Sequence, residues 1–134
     1  MAGGSGEGAK PDQGLRRSQR LTRTALFRQT YAQGRRWIGR FMVLWLRSGD
    51  DASLRLGVVA SKKVGNAVAR ARAKRLLREA YRRNRFRMAG PFDVVIVARR
   101  DILAAPWNDI EGELLELAKF AGLLESGAQG ERRE

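Results

Sequence analysis

Residues 67–85 repeat cations and small or apolar side chains with the period of an α-helix, a pattern that few other structures accommodate. At about 100° per residue, Ala69, Ala73, Leu76, Leu77, Ala80 and Tyr81 fall on one apolar arc. Arg70, Lys74, Arg78 and Arg82 form an outward i, i+4 ladder, with Arg72, Arg75 and Arg83 on the other flank. The apolar arc has to be covered, so this helix must pack on a sheet or on other helices. Asn66, after Gly65, is a good N-cap, and Gly90-Pro91 marks where the helix must already have ended.

The same segment restricts the partner. Residues 62–87 hold eleven Lys and Arg against one acid, Glu79. Like charges one turn apart destabilise a helix by a few tenths of a kcal/mol per pair, roughly, so the spacing is costly unless phosphates neutralise it. Most of the cations are Arg, whose planar fork pairs bidentately with phosphate and stacks on bases, more than a merely solubilising face requires. Lys62, Lys63, Arg70, Arg72, Lys74, Arg75 and Arg78 are therefore candidate nucleic-acid-binding residues.

Composition agrees. The 134 residues carry 27 Lys and Arg against 14 Asp and Glu, a formal net charge of +13, and 43% are hydrophobic, enough for one modest core. Without cysteine there is no disulfide framework or thiolate metal site, and without histidine the commonest general base and metal ligand are missing. No apolar run reaches the roughly 20 residues of a membrane helix, and the Gly-rich start lacks a signal peptide's apolar segment, so a cytoplasmic protein without membrane contact is expected.

Residues 1–15 are poor in large apolar side chains and are expected to be a disordered tail, as are 125–134, leaving one domain over 16–124. Arg16, Arg17 and Arg20 form a basic arm. Thr22 or Thr24 caps a first helix through Leu26, Phe27 and Tyr31, which Gly34 stops. The apolar run from Trp37 predicts a strand over 39–46, Ser48-Gly49-Asp50-Asp51 a turn, and 54–60 the returning strand of an antiparallel pair. Residues 61–64 form either a short third strand or a bend. Phe92 to Ala98 reads as a buried central strand, and Asn108-Asp-Ile-Glu111 as a capping box opening a last helix. The fold class is α+β: helices on a mixed sheet.

Catalytic groups are scarce. Asp50 and Asp51 sit in the predicted turn, and Glu111, Glu113 and Glu116 do not share one helical face, so all five are expected to be solvated surface. No catalytic residue is assigned. Phe27 and Tyr31, four apart, and Trp45 on its strand are either core or platforms on which unpaired bases stack.

Residues 55–79, Arg-Leu-Gly-Val-Val-Ala-Ser-Lys-Lys-Val-Gly-Asn-Ala-Val-Ala-Arg-Ala-Arg-Ala-Lys-Arg-Leu-Leu-Arg-Glu, closely resemble the signature of the protein subunit of bacterial ribonuclease P. The likeness extends to Arg20-Leu21, to Phe27 and Tyr31, and to Val94-Val-Ile-Val-Ala-Arg99, covering roughly residues 16–124. It implies an α-β-β-β-α-β-α order with a four-stranded mixed sheet like that of ribosomal protein S5 domain 2. It also implies a left-handed βαβ crossover, against the general right-handed rule. The implied function is removal of the 5′ leader from precursor tRNA, catalysed by a partner RNA with Mg2+ held mainly by that RNA. The protein's share would be to bind both RNAs. By this resemblance Arg70, Arg72, Lys74, Arg75 and Arg78 contact the catalytic RNA and the region near the cleavage site, while Phe27, Tyr31, Trp45 and Lys63 belong to a central cleft for the leader.

Two other classes compete. A structural ribosomal protein would bind ribosomal RNA without processing activity. A DNA reader using 67–85 as its recognition helix is disfavoured, because the Arg flank lacks interleaved Asn or Gln for base edges. One position departs from the resemblance: Ala71 stands where the family typically has Asn, within the polar arc. Ala71→Asn is expected to leave folding nearly unchanged and to tighten RNA binding modestly in a filter-binding titration; weaker binding would contradict this.

Overall fold

The computed structural model describes residues 19–21 and 24–124; the two expected tails, together with Arg16, Arg17 and Thr22, lie outside them. The elements run α1 (Thr24–Gln33), β1 (Arg36–Ile38), β2 (Met42–Ser48), β3 (Leu56–Val59), α2 (Ala67–Asn84), β4 (Phe92–Ala98) and α3 (Trp107–Ala121), with 3-10 turns at Arg85–Arg87 and Arg100–Ala104. The sheet order is β1-β2-β4-β3.

The order of elements is the expected one, but two strand readings are corrected. The apolar run from Trp37 is a hairpin: β1 folds back antiparallel on β2, pairing Arg36 with Trp45 and Ile38 with Val43. Apolar residues on both sides of Gly39-Arg40 hid the turn at 39–41, which is held from outside the run. The Glu113 carboxylate accepts the backbone N–H groups of Arg40 (2.8 Å), Phe41 (2.8 Å) and Met42 (3.1 Å). Nor is the 54–60 strand the antiparallel partner of β2. Strand β4 inserts between them, antiparallel to β2 (Leu44 opposite Ile96) and parallel to β3 (Val58 opposite Ile96). Local turn chemistry at 48–51 could not reveal a strand some 40 residues later taking that place. Residues 61–64 are a turn, not a strand.

Alternation along the strands divides the core. Met42, Leu44, Leu46, Val94, Ile96 and Leu56 face α2 and α3, where Ala73, Leu77, Ala80, Tyr81, Ile110, Leu114 and Leu117 cover them. Each fully buried aliphatic side chain contributes about 1.5–3 kcal/mol. On the opposite face, α1 packs Leu26 and half-buried Phe27 against Val95, Val59 and Leu21. Strand β4 is thus buried on both faces, as its unbroken apolar run predicts.

Helix α2 begins as expected, the Asn66 side chain accepting from Ala69 N at 2.9 Å. The capping box of α3 does not form: the helix starts at Trp107 after Pro106, and Glu111 accepts instead from the buried Asn84 amide at 2.8 Å. Glu111 and Glu113 are therefore structural, not solvated surface. Asp51 is on the solvated surface, as expected, although its carboxylate also pairs with Arg47 at 2.8 Å.

Asp93 is the centre of a second polar network, at the start of β4. Fully buried, it takes Arg47 at 2.7 Å and Arg55 at 2.8 Å, while Arg47 also donates to Gln29 of α1. Burial by itself would raise the Asp93 pKa, but the Arg55 hydrogen bond, the Ser53 N–H and the Arg55 charge outweigh it and hold the carboxyl below its ordinary value. A depressed folded pKa stabilises fully above the unfolded value near 3.9, progressively less below it, and not at all once pH has fallen through the folded pKa. Asp93→Asn removes the buried charge that Arg47 and Arg55 share and leaves them the exposed Asp51 as their one acidic partner among the described residues. We expect a loss of about 3–5 kcal/mol in urea denaturation at neutral pH. The loss should be accompanied by a flatter decline of stability below about pH 4 than the wild type shows.

Candidate nucleic-acid interface

Two cationic regions lie on opposite sides of the sheet. The first is the outward side of α2. Arg72, Arg75 and Arg78 are exposed, Arg70 and Lys74 half-buried, and none of the five has an acidic partner among the described residues. Arg70 donates to the Gly65 carbonyl at 2.9 Å, which fixes it against the start of its own helix. The only acid of α2, Glu79, is taken by Arg82 (2.6 Å) and Arg83 (2.7 Å), so what acid the helix has is spent on its last turns and the first three have none. Burial first, and then the charges of Arg20 and Arg75, lower the Arg78 pKa. Arg20 reaches this cluster because residues 20–21 pair with β3, Leu21 N donating to Leu56 O at 2.8 Å.

The second region is a groove on the α1 face of the sheet. A ten-residue helix is about 15 Å long and roughly 10 Å wide, too narrow to cover four strands. What it leaves bare forms a groove lined by Tyr31, Arg36, Ile38, Val43, Trp45, Val97 and Arg99. Tyr31 meets Trp45 edge to face, ring centroids 4.9 Å apart, and burial raises its pKa. Val97 and Arg99 also line an adjoining hollow with Arg40, Ser61, Lys63, Arg100 and Asp101, so Lys63 is brought to the same channel. Five cations and one acid border the two hollows.

Of the four residues expected in a cleft, Tyr31, Trp45 and Lys63 line this channel. Phe27 does not. Its ring lies over Gly57 of β3, where a Cβ would come within 2.4 Å of Cζ, so it seats α1 on the sheet. Lys62 is exposed in the turn between β3 and α2. Sequence reasoning missed Arg36, Arg40 and Arg100 as groove residues, because the β1–β2 hairpin that aims the first two was read as one strand. The run Arg35-Arg36 abutting an apolar segment was the available signal.

Among the described residues no three of His, Cys, Asp or Glu come together as a metal site would require, and no helix is long and apolar enough to cross a membrane. The arrangement suits binding of a polyanion with unpaired, stackable groups.

Comparison with known proteins points to one family. The family model described as Ribonuclease P matches residues 15–122. The ribonuclease P protein component of Clostridium novyi (strain NT) is 34% identical over 111 residues, covering 81% of this chain and 98% of its own. That of Clostridium botulinum (strain Loch Maree / Type A3) is 36% identical over 108 residues, with 80% and 97% covered. Among solved structures, the Staphylococcus aureus RNase P protein superposes with a TM-score of 0.69 at 28% identity over 80% of this chain and 98% of that one. The Thermotoga maritima RNase P protein gives 0.64 at 30% identity, covering 73% and 93%.

Proposed function

The chain belongs to the ribonuclease P protein family and is a protein subunit of that tRNA-processing enzyme; we propose that its two cationic regions divide the enzyme's RNAs between them. The α2 face, with Arg70, Arg72, Lys74, Arg75 and Arg78 and with Lys62 at its approach, binds a catalytic RNA. The groove of Tyr31, Trp45 and Lys63, steadied by Phe27 beneath α1, receives the single-stranded 5′ leader of precursor tRNA. The observation that carries this reading is that both regions are cationic and unneutralised while the acids nearby are spent inside the fold. Nothing in the relatives favours a ribosomal role.

Cleavage then belongs to the RNA. Among the described residues no three of His, Cys, Asp or Glu come together, and in this reading the magnesium that supports leader hydrolysis is held mainly by the RNA partner. The protein's contribution is differential binding. Contacts to the leader exist in the precursor and vanish in mature tRNA, so they favour substrate over product. Cations along α2 replace part of the screening that salt and magnesium otherwise supply, making the protein most valuable at low ionic strength. No step of this account needs a membrane or DNA, and it places the protein with its RNA substrates in the cytoplasm.

The test is 5′ cleavage of a precursor tRNA by a bacterial ribonuclease P RNA at low magnesium. Wild-type protein should restore cleavage, and the triple variant Arg70→Glu, Arg72→Glu, Lys74→Glu should fail to, while keeping the wild-type circular dichroism. Absence of any effect from the wild type would overturn the reading.

A further inference from the structure

Trp45 is more engaged than a free stacking platform would be. It stands directly across from Arg36 in the β1–β2 pair, and the Arg36 guanidinium carbon lies 5.4 Å from its ring centroid. Tyr31 holds the same indole at 80°. The Arg36 side chain is exposed and makes no hydrogen bond or ion pair among the described residues. A guanidinium held over a ring by its charge spends none of its N–H donors on that contact, so they stay free for another partner. Across the groove, Arg99 is anchored by donating to the Gly39 carbonyl at 2.9 Å from one nitrogen, leaving its others available. No acid lines this hollow.

We propose that Trp45 is a positioning residue for Arg36: its ring presents the guanidinium as a fork for a leader phosphate, Arg99 closes on the same phosphate, and the leader base stacks on Tyr31. This rests on the groove being the leader site. It assigns a phosphate-binding role to Arg36 and takes direct base stacking away from Trp45. Recognition of this kind ignores base identity, because every nucleotide offers a phosphate and a π-face.

A double-mutant cycle on the holoenzyme tests it, measuring affinity for precursor tRNA with a leader and for leaderless tRNA across a potassium chloride series. Arg36→Ala should cut the affinity gained from the leader about tenfold. It should also lower the salt slope of that gain by about 0.7, the value for one lost single-strand phosphate. Trp45→Leu alone should lose several-fold, yet change the Arg36→Ala background by less than about twofold, because the two act as one unit. Trp45→Phe, which keeps a ring beneath the guanidinium, should retain the wild-type salt slope and guards against a folding defect in Trp45→Leu. Independent, multiplying losses, or a salt slope untouched by Arg36→Ala, would overturn the clamp while leaving the leader reading intact. A wild-type holoenzyme that gains nothing from the leader would overturn that reading, and the clamp with it.

Discussion

Burial of β4 on both faces is the constraint on which the rest of the molecule depends. Val94 and Ile96 are sealed by α2 and α3, and Val95 by α1, so helices have to occupy both sides of the sheet. Two long helices suffice for one side. The other has only ten-residue α1, fixed at its C-terminal end by Gln33 on Ser48 and along its length by Gln29 on Arg47 and Phe27 over Gly57. The shortfall in coverage is the groove. A longer α1, or a side chain at Gly57 that lifted it, would close or displace the surface that Tyr31 and Trp45 share.

Charge is distributed along the strands as deliberately as apolar area is between the faces. At the start of β4, Asp93 and Asp51 neutralise Arg47 and Arg55. At its other end the strands deliver Lys63, Arg40, Arg99 and Arg100 to one hollow with a single acid, Asp101. Helix α2 starts from that same end, and its own dipole adds positive potential there. The acids of α2 and α3 that the fold engages lie outside that hollow's lining: Glu79 binds Arg82 and Arg83, Glu111 binds Asn84, and Glu113 binds the backbone of the β1–β2 turn. One pole is internally satisfied and rigid. The other is left for phosphates to complete.

Features encoded by short-range physics were legible in the sequence. The period of residues 67–84 identified α2, its N-cap and its buried arc, and the apolar run at 92–98 identified the central strand. Pairings set by distant residues were not. The β1–β2 turn is held by a carboxylate more than 70 residues away, and the partner of β3 follows a whole helix later. The error propagated to function, since with one strand read over 39–46 nothing placed Arg36 opposite Trp45. Tyr31 and Phe27 show the same limit. They are equivalent by helical spacing, but only tertiary contact makes one a groove wall and the other a wedge beneath the helix.

The central claim is that the two cationic regions serve two RNAs, and the absence of cysteine makes it directly measurable. A single cysteine introduced at Ile38, an exposed groove residue, or at Ala71, exposed on α2, carries a photo-crosslinker into the assembled complex of catalytic RNA, precursor tRNA and protein. The account predicts crosslinks from position 38 to leader nucleotides and from position 71 to the catalytic RNA. Crosslinks from both positions to the same RNA, or from position 38 to nucleotides of the mature tRNA alone, would contradict it.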